Sequence, residues 1–231
     1  MWASEAQLAD NFEGYLRRRG EKLQRRGKGA VVLREYEPGY GRVDMVWVVY
    51  DMDRLLERRK RNPSSLELRQ LDKYSASAMS YLTHSRWVSL NRLGVAMNLG
   101  PTQTRRLVSN LEHSGLVETH AELVKTCTKR RNFVIDYIET FELKLENWQR
   151  ALEQAGRHLW FASRSYVVLP DLSERVTRRL VRNCIQWNIG AILLQATDNW
   201  KTIRSPLGTR VPTSHVGWLL NEWIVSKGEY A

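Results

Sequence analysis

Cysteine is scarce in this chain. Only Cys127 and Cys184 occur in 231 residues, far apart. Two lone thiols exclude a disulfide framework and a paired-cysteine zinc site, and they suit a reducing cytoplasm. His84, His113, His120 and His215 are equally scattered and show no metal-ligand spacing, which predicts no zinc. Long apolar runs are missing as well. The longest strongly apolar segment, near Ile189 to Ala196, is far too short to cross a bilayer. Met1 to Asp10 lacks a basic start followed by an apolar run, so no signal peptide is expected. There is no internal repeat and no low-complexity tract. Acid is the scarcer charge, with 25 Asp and Glu against 36 Lys and Arg, giving a formal net charge of +11 and a pI of about 9.9. Such a surplus points to a polyanionic partner, most simply nucleic acid. The basic residues fall in three runs: Arg17 to Lys28, Arg54 to Arg61, and Lys129 to Arg131. No long amphipathic apolar face adjoins them, which argues against a membrane surface as the partner.

Helical spacing of Leu8, Phe12, Tyr15 and Leu16 predicts a helix over 4–19, stopped by Gly20. Residues 30–36 and 42–50 read as strands joined by the turn Glu-Pro-Gly-Tyr-Gly at 37–41. From about Met52 the chain turns helical and polar, with a break at 61–65, and short helices run from Tyr74 to Arg131. Strands resume at Ile135. A helix to about Phe161 should bury Trp148, Ala151, Leu152 and Ala155. Then come a strand at 165–170, a helix capped by Ser173, a strand at 190–196, and a terminal helix over 214–228 with Val216, Leu219, Leu220 and Trp223 inward. The expected organisation is an α/β domain, 1–51 and 134–231, interrupted by a helical module at 52–133.

Within that module Leu90, Leu93 and Met97 mark one short helix, and Leu99-Gly100 marks a tight turn. Pro101 occupies a favourable first helical position, and Leu107, Val108 and Leu111 form a second apolar stripe. Gly115 ends that helix. The stretch Leu111-Glu112-His113-Ser114-Gly115-Leu116-Val117-Glu118 resembles the end of the recognition helix in the winged helix-turn-helix of bacterial regulators. The resemblance implies a recognition helix, Pro101 to His113, in a major groove. Its candidate DNA contacts are Thr102, Gln103, Thr104, Arg105, Arg106 and Asn110. Lys125, Lys129, Arg130 and Arg131 would brace the wing on the phosphates.

The tripeptide Glu142-Leu143-Lys144 sits in the strand Phe-Glu-Leu-Lys-Leu at 141–145, where alternation puts the acid and the amine on one face. An earlier strand carries Asp44 in an apolar setting. A helix before the first strand and another after the Glu-x-Lys strand complete a pattern that resembles the PD-(D/E)XK nuclease superfamily, although Val43 stands where a proline precedes the first acid. The resemblance implies a restriction-endonuclease-like mixed β-sheet flanked by helices and interrupted by an inserted winged helix-turn-helix domain. The implied activity is Mg²⁺- or Mn²⁺-dependent hydrolysis of DNA phosphodiesters by a hydrolase of endonuclease type. Asp44, Glu142 and the Leu143 carbonyl would be the metal ligands, with Lys144 the catalytic amine. Glu13 is an additional acid, and Glu35 and Glu37 are further candidates. Gln154 matches a glutamine found after the motif in RecB-like and resolvase branches, with Arg157 and His158 near the same helix face; His158 itself reads as structural. Mg²⁺ suits oxygen ligands, lowers the pKa of bound water and neutralises charge on the phosphate. Other readings stay open: a catalytically inactive DNA-binding regulator in which 141–145 is an ordinary strand, or a nuclease subunit of a transposition or defence complex. A double-strand cut would require a homodimer or two visits.

Overall fold

The computed structural model describes residues 4–39, 41–61, 71–127, 132–196, 199–210 and 212–227. Leu8, Phe12, Leu16 and Gly20 recur every four residues and form the buried stripe of α1 (Glu5–Gln24), which Ser4 caps by accepting the Gln7 backbone N–H. Next come β1 (Lys28–Tyr36), β2 (Val43–Asp51), α2 (Met52–Arg61) and α3 (Lys73–Thr83). They are followed by β3 (Val88–Ser89), α4 (Leu90–Met97), α5 (Pro101–His113), β4 (Val117–His120) and β5 (Leu123–Thr126). The remaining elements are β6 (Ile135–Leu143), α6 (Trp148–Arg157), β7 (Arg164–Pro170), α7 (Glu174–Trp187), β8 (Gly190–Ala196), β9 (Asn199–Arg204) and α8 (His215–Lys227). Among the described residues no helix is long and apolar enough to cross a membrane.

The chain divides into two units. The first, Met1–Tyr50 with Asp136–Pro212, is mixed α/β. Its six-stranded sheet has the order β1-β2-β6-β7-β8-β9. Strands β6, β7 and β8 run parallel, because α6 and α7 serve as their crossovers, and β9 closes antiparallel on β8. Both faces are covered, so the central strands are apolar on both sides: Ser165 to Leu169 of β7 are all buried. Under α1 lie Met45, Trp47, Val49, Phe141, Leu143, Tyr166, Val168, Ile192 and Leu194. Full burial of each large apolar side chain there contributes roughly 2 kcal/mol. Ala151, Leu152 and Ala155 of α6 and Leu180 and Cys184 of α7 cover the opposite face over Val167, Leu169, Ala191 and Leu193. Gly29 is required where it stands, since a Cβ there would lie 2.2 Å from the Tyr50 ring.

The second unit, Asp51–Ile135 with Thr213–Ala231, holds α2 to α5, the three-stranded sheet β3-β5-β4, and α8. The expected boundary at 134–231 is therefore corrected: the terminal helix belongs here. It packs on α3, and its Trp218 Nε1 donates to Thr83 Oγ1 at 3.2 Å. Asn221 Oδ1 accepts the Val134 N–H at 2.7 Å. Enclosure on several sides also changes its inward face. Val216, Trp218, Leu220, Asn221, Ile224 and Val225 are buried, while Leu219 and Trp223 are only half-buried. Three arginines of the second basic run are tied into this unit. Arg58, 3 % exposed, forks onto Glu222 at 2.8 and 2.7 Å, Arg59 donates to the Val225 carbonyl at 2.9 Å, and Arg54 donates to the Phe133 carbonyl at 3.0 Å.

Candidate functional site

Leu143 and Phe141 point into the layer beneath α1, so alternation sends Glu142 to the α6 side of β6. Its register partner, Val167, is buried in the apolar layer on that side. Glu142 is thus a carboxyl group at 0 % exposure; no N–H or hydroxyl donor among the described residues hydrogen-bonds to its oxygens, and its hydrogen-bonding neighbour is the Asp44 carboxyl. Burial, and after it the charge of Asp44, pushes its pKa from 4.5 up to about 8, against an opposing pull from Lys144. At neutral pH it holds its proton.

Asp44 lies near the start of β2, the sheet neighbour of β6. Its Oδ2 accepts the Leu143 backbone N–H at 2.8 Å and stands 3.6 Å from Lys144 Nζ. Lys144 is the first residue beyond β6, and its backbone N–H donates to the Val168 carbonyl at 3.1 Å. Asn147, with φ of 53°, turns the chain into α6 and caps it by accepting the Arg150 N–H at 3.2 Å. This short turn keeps the amine beside the two acids. Residues about a hundred positions apart in the chain, Asp44 and the Glu142–Lys144 pair, therefore meet at neighbouring strands.

Two side chains from α6 complete the surroundings. His158, its C-cap, places Nε2 3.5 Å from Glu142 Oε1. Burial, then the charge of Arg157, lowers the His158 pKa to about 4, so the imidazole is neutral. Its Nδ1 is buried without a partner, as is Gln154 Oε1 one turn earlier. Four of the six buried side-chain polar atoms lacking partners among the described residues belong to Glu142, Gln154 and His158. Such atoms are costly unless something else occupies them.

Sequence reasoning missed Glu5, whose Oε2 accepts from Lys144 Nζ at 3.2 Å. The usable signal was its place at the first turn of α1, after the Ser4 cap. Glu13, the acid expected from that helix, pairs instead with Arg17 at 2.6 Å and Arg34 at 2.7 Å. It lies eight residues further on, which is about 12 Å along the helix axis. Glu35 pairs with Arg42 at 3.4 Å.

No three His, Cys, Asp or Glu side chains among the described residues come together as a metal cage. Two carboxyl groups, those of Asp44 and Glu142, do stand together. Mg²⁺ is commonly held by one or two carboxylates, keeps several waters and shares substrate phosphate oxygens. Asp44 and Glu142 supply that number of carboxylates.

In the second unit, α5 presents Thr102, Gln103, Arg105, Arg106 and Asn110 to solvent. Thr104 does not join them. It is buried, and its hydroxyl donates to the Gly100 carbonyl at 3.0 Å. Gln103 Oε1 accepts the Gly100 N–H at 3.0 Å, which leaves its amide NH₂ outward. Arg105 leans to Glu122 at 3.4 Å. Arg106 and Asn110 line an open groove of about 970 Å³ beside Tyr74 and His113. Lys125 pairs with Glu118 at 3.1 Å and lies over the Trp87 ring at 4.5 Å. Lys129, Arg130 and Arg131 lie outside the described residues. Comparison with protein-family models, with curated proteins and with solved structures gives no match.

Proposed function

We propose that the protein is a Mg²⁺- or Mn²⁺-dependent DNA endonuclease. Its α/β unit is read as a restriction-endonuclease-like domain of PD-(D/E)XK type, and its second unit as a winged helix-turn-helix that grips DNA. One observation carries the proposal: Glu142 is buried with no N–H donor answering it, and it stands with Lys144 beside Asp44, an acid brought from a distant part of the chain. A structural carboxyl at that depth would be answered by donors.

In this reading Asp44 and Glu142 hold the ion, together with the Leu143 carbonyl. When bound, the ion supplies an acidified water and neutralises charge on the phosphate. Glu142 keeps a proton on its carboxyl until a cation displaces it. Lys144 holds positive charge at the site mouth, where it orients the attacking water and stabilises charge developing on the phosphate oxygens. Glu5 restrains that amine through its 3.2 Å contact and so fixes its direction. The apolar layer of Val167 and Leu152 excludes bulk water behind Glu142, which strengthens every charge interaction in front of it. The exposed positions of α5 supply affinity for DNA.

The test is a supercoiled-plasmid nicking assay with Mg²⁺ or Mn²⁺ against an EDTA control. Wild type should nick, since one site cuts one strand. Glu142→Gln and Lys144→Ala should lose nicking while retaining DNA binding. Full nicking by the double variant, or nicking undiminished by EDTA, would remove these residues from the chemistry.

A further inference from the structure

Several residues of the basic runs conspicuous in the sequence are paired within the molecule. Arg17 pairs with Glu13, Arg19 approaches Glu139 at 3.4 Å and lies over the Trp47 ring at 4.3 Å, and Lys28 pairs with Asp136 at 2.8 Å. Arg54, Arg58 and Arg59 bind carbonyls and a carboxylate in the second unit. A further cluster of exposed positive charge lies on a helix that no run marks.

Helix α7 reads Glu-Arg-Val-Thr-Arg-Arg-Leu-Val-Arg-Asn-Cys-Ile-Gln-Trp. Arg175, Arg179, Arg182 and Gln186 follow at spacings of four, three and four, which is one stripe along the helix. All four are exposed. The only acid on the helix, Glu174, pairs with Arg178 at 2.7 Å. Arg175, Arg179 and Arg182 have no ion pair or hydrogen bond from their guanidinium groups among the described residues. The opposite face of α7, through Leu180 and Cys184, is buried on the sheet, so the stripe faces solvent. At its C-terminal end Trp187 is 43 % exposed. The indole is seated against Gly156 of α6, where a Cβ would lie 3.1 Å from the ring. It borders an open groove of about 460 Å³ with Glu153, Arg157 and Leu159. Residue 158, next to Arg157, is the histidine that faces Glu142.

We propose that α7 is a second nucleic-acid surface, one that carries an unpaired strand: phosphates lie on Arg175, Arg179 and Arg182, and a base stacks on Trp187. This rests on the nuclease reading for its purpose, not for its observations. Three guanidiniums without acidic partners complement a polyanion, and an exposed indole at the end of that track complements a base freed from pairing. A paired base has no face to offer it. Guanidinium tracks combined with aromatic platforms are how strands are held without sequence preference.

The experiment measures binding by the full chain in EDTA, so that no cleavage enters. The probes are a fluorescent single-stranded oligonucleotide and a blunt duplex, titrated across a range of salt. Converting Arg175, Arg179 and Arg182 together to Ala should reduce the single-strand salt slope by about 2. The corresponding triple Lys variant should keep the slope, which separates lost charge from lost fold. Trp187→Ala should weaken single-strand binding about tenfold and leave the duplex unchanged, whereas Trp187→Phe should restore it. An unchanged slope in the triple Ala variant overturns the proposal. So does equal weakening of both probes by Trp187→Ala, or absence of single-strand binding by wild type. A chain that binds the strand in this way but never nicks with Mg²⁺ keeps this inference and loses the nuclease reading.

Discussion

Glu142→Gln should make the protein more stable at neutral pH, and the size of the gain follows from the site. In the folded chain the Glu142 carboxyl holds its proton until about pH 8, whereas its ordinary value is 4.5. Between those limits the native state binds more protons than the unfolded state, so stability is full below pH 4.5 and falls as pH rises toward 8. Each pH step across that window is worth about 1.4 kcal/mol. From pH 4.5 to pH 7 the accumulated cost is about 3 kcal/mol. Glutamine keeps the shape and the polar atoms but never ionises. The variant should therefore gain about 3 kcal/mol over wild type at pH 7 and almost nothing at pH 4. The neighbouring His158 behaves in the opposite sense. Its folded value is lowered to about 4, so the stability it contributes is present above pH 6.5 and is lost as pH falls. Because that histidine remains in both proteins, the difference between them isolates Glu142.

The assay is urea denaturation of both proteins from pH 4 to pH 9, read by circular dichroism. The difference in midpoint should open steadily with pH and level off beyond about pH 8. A difference independent of pH, or a variant less stable than wild type at pH 7, refutes the idea that an unanswered carboxyl is stored in the apolar layer.

Other outcomes can be checked alongside. Mg²⁺ should raise the melting temperature of wild type more at pH 8 than at pH 6, because binding must displace the Glu142 proton; the effect should vanish in Glu142→Gln, and a pH-independent shift counts against Glu142 as a ligand. Lys144→Ala should slow nicking roughly a hundredfold or more with unchanged DNA affinity, as single-turnover rates would reveal. Arg58→Ala, which removes the forked partner of Glu222, should cost about 3–5 kcal/mol in denaturation of the second unit, and a loss below about 1 kcal/mol would contradict a buried pair. Arg106→Ala should lower the salt slope of duplex binding by about 0.9, measured by anisotropy, whereas no change would remove α5 from the phosphate backbone.

Local pattern carried much of the architecture. The four-residue recurrence of Leu8, Phe12 and Leu16 located α1, and alternation correctly divided Phe141 and Leu143 from Glu142, although the strand expected to run to 145 ends at Leu143. What pattern could not carry was partnership. Arg58 and Arg59 look like a solvated basic run, yet their partners lie more than 160 residues away on α8. Glu13 and Glu5 share one helix and one chemistry, and only the fold decides that Arg34 meets the first while Lys144 meets the second. Strand β9 was missed because its exposed Asn199, Lys201 and Thr202 show the polar character of a sheet edge, with little apolar alternation. Thr104 has the composition of a DNA contact, but its hydroxyl is turned back to Gly100.

Strand β6 contains its own control for the functional argument. Glu139 and Glu142 lie three residues apart, on opposite faces, and both are at 0 % exposure. Glu139 is answered in charge: Arg164 donates to one oxygen at 3.1 Å, and Arg19 stands 3.4 Å from the other, which forms an ion pair without a hydrogen bond. Those arginines in turn rest over Tyr137 and Trp47. That is how a fold accommodates a buried carboxylate it needs for structure, with a positive charge beside each oxygen and aromatic faces supporting those charges. Glu142 receives nothing comparable. Its neighbours are an acid, a neutral imidazole and an amine that Glu5 also claims. The same strand, the same depth and the same side chain are thus given two different treatments. The difference is intelligible if the second carboxylate is completed by something the chain does not encode, and a cation brought in with a phosphate is the partner whose charge and oxygen preference fit.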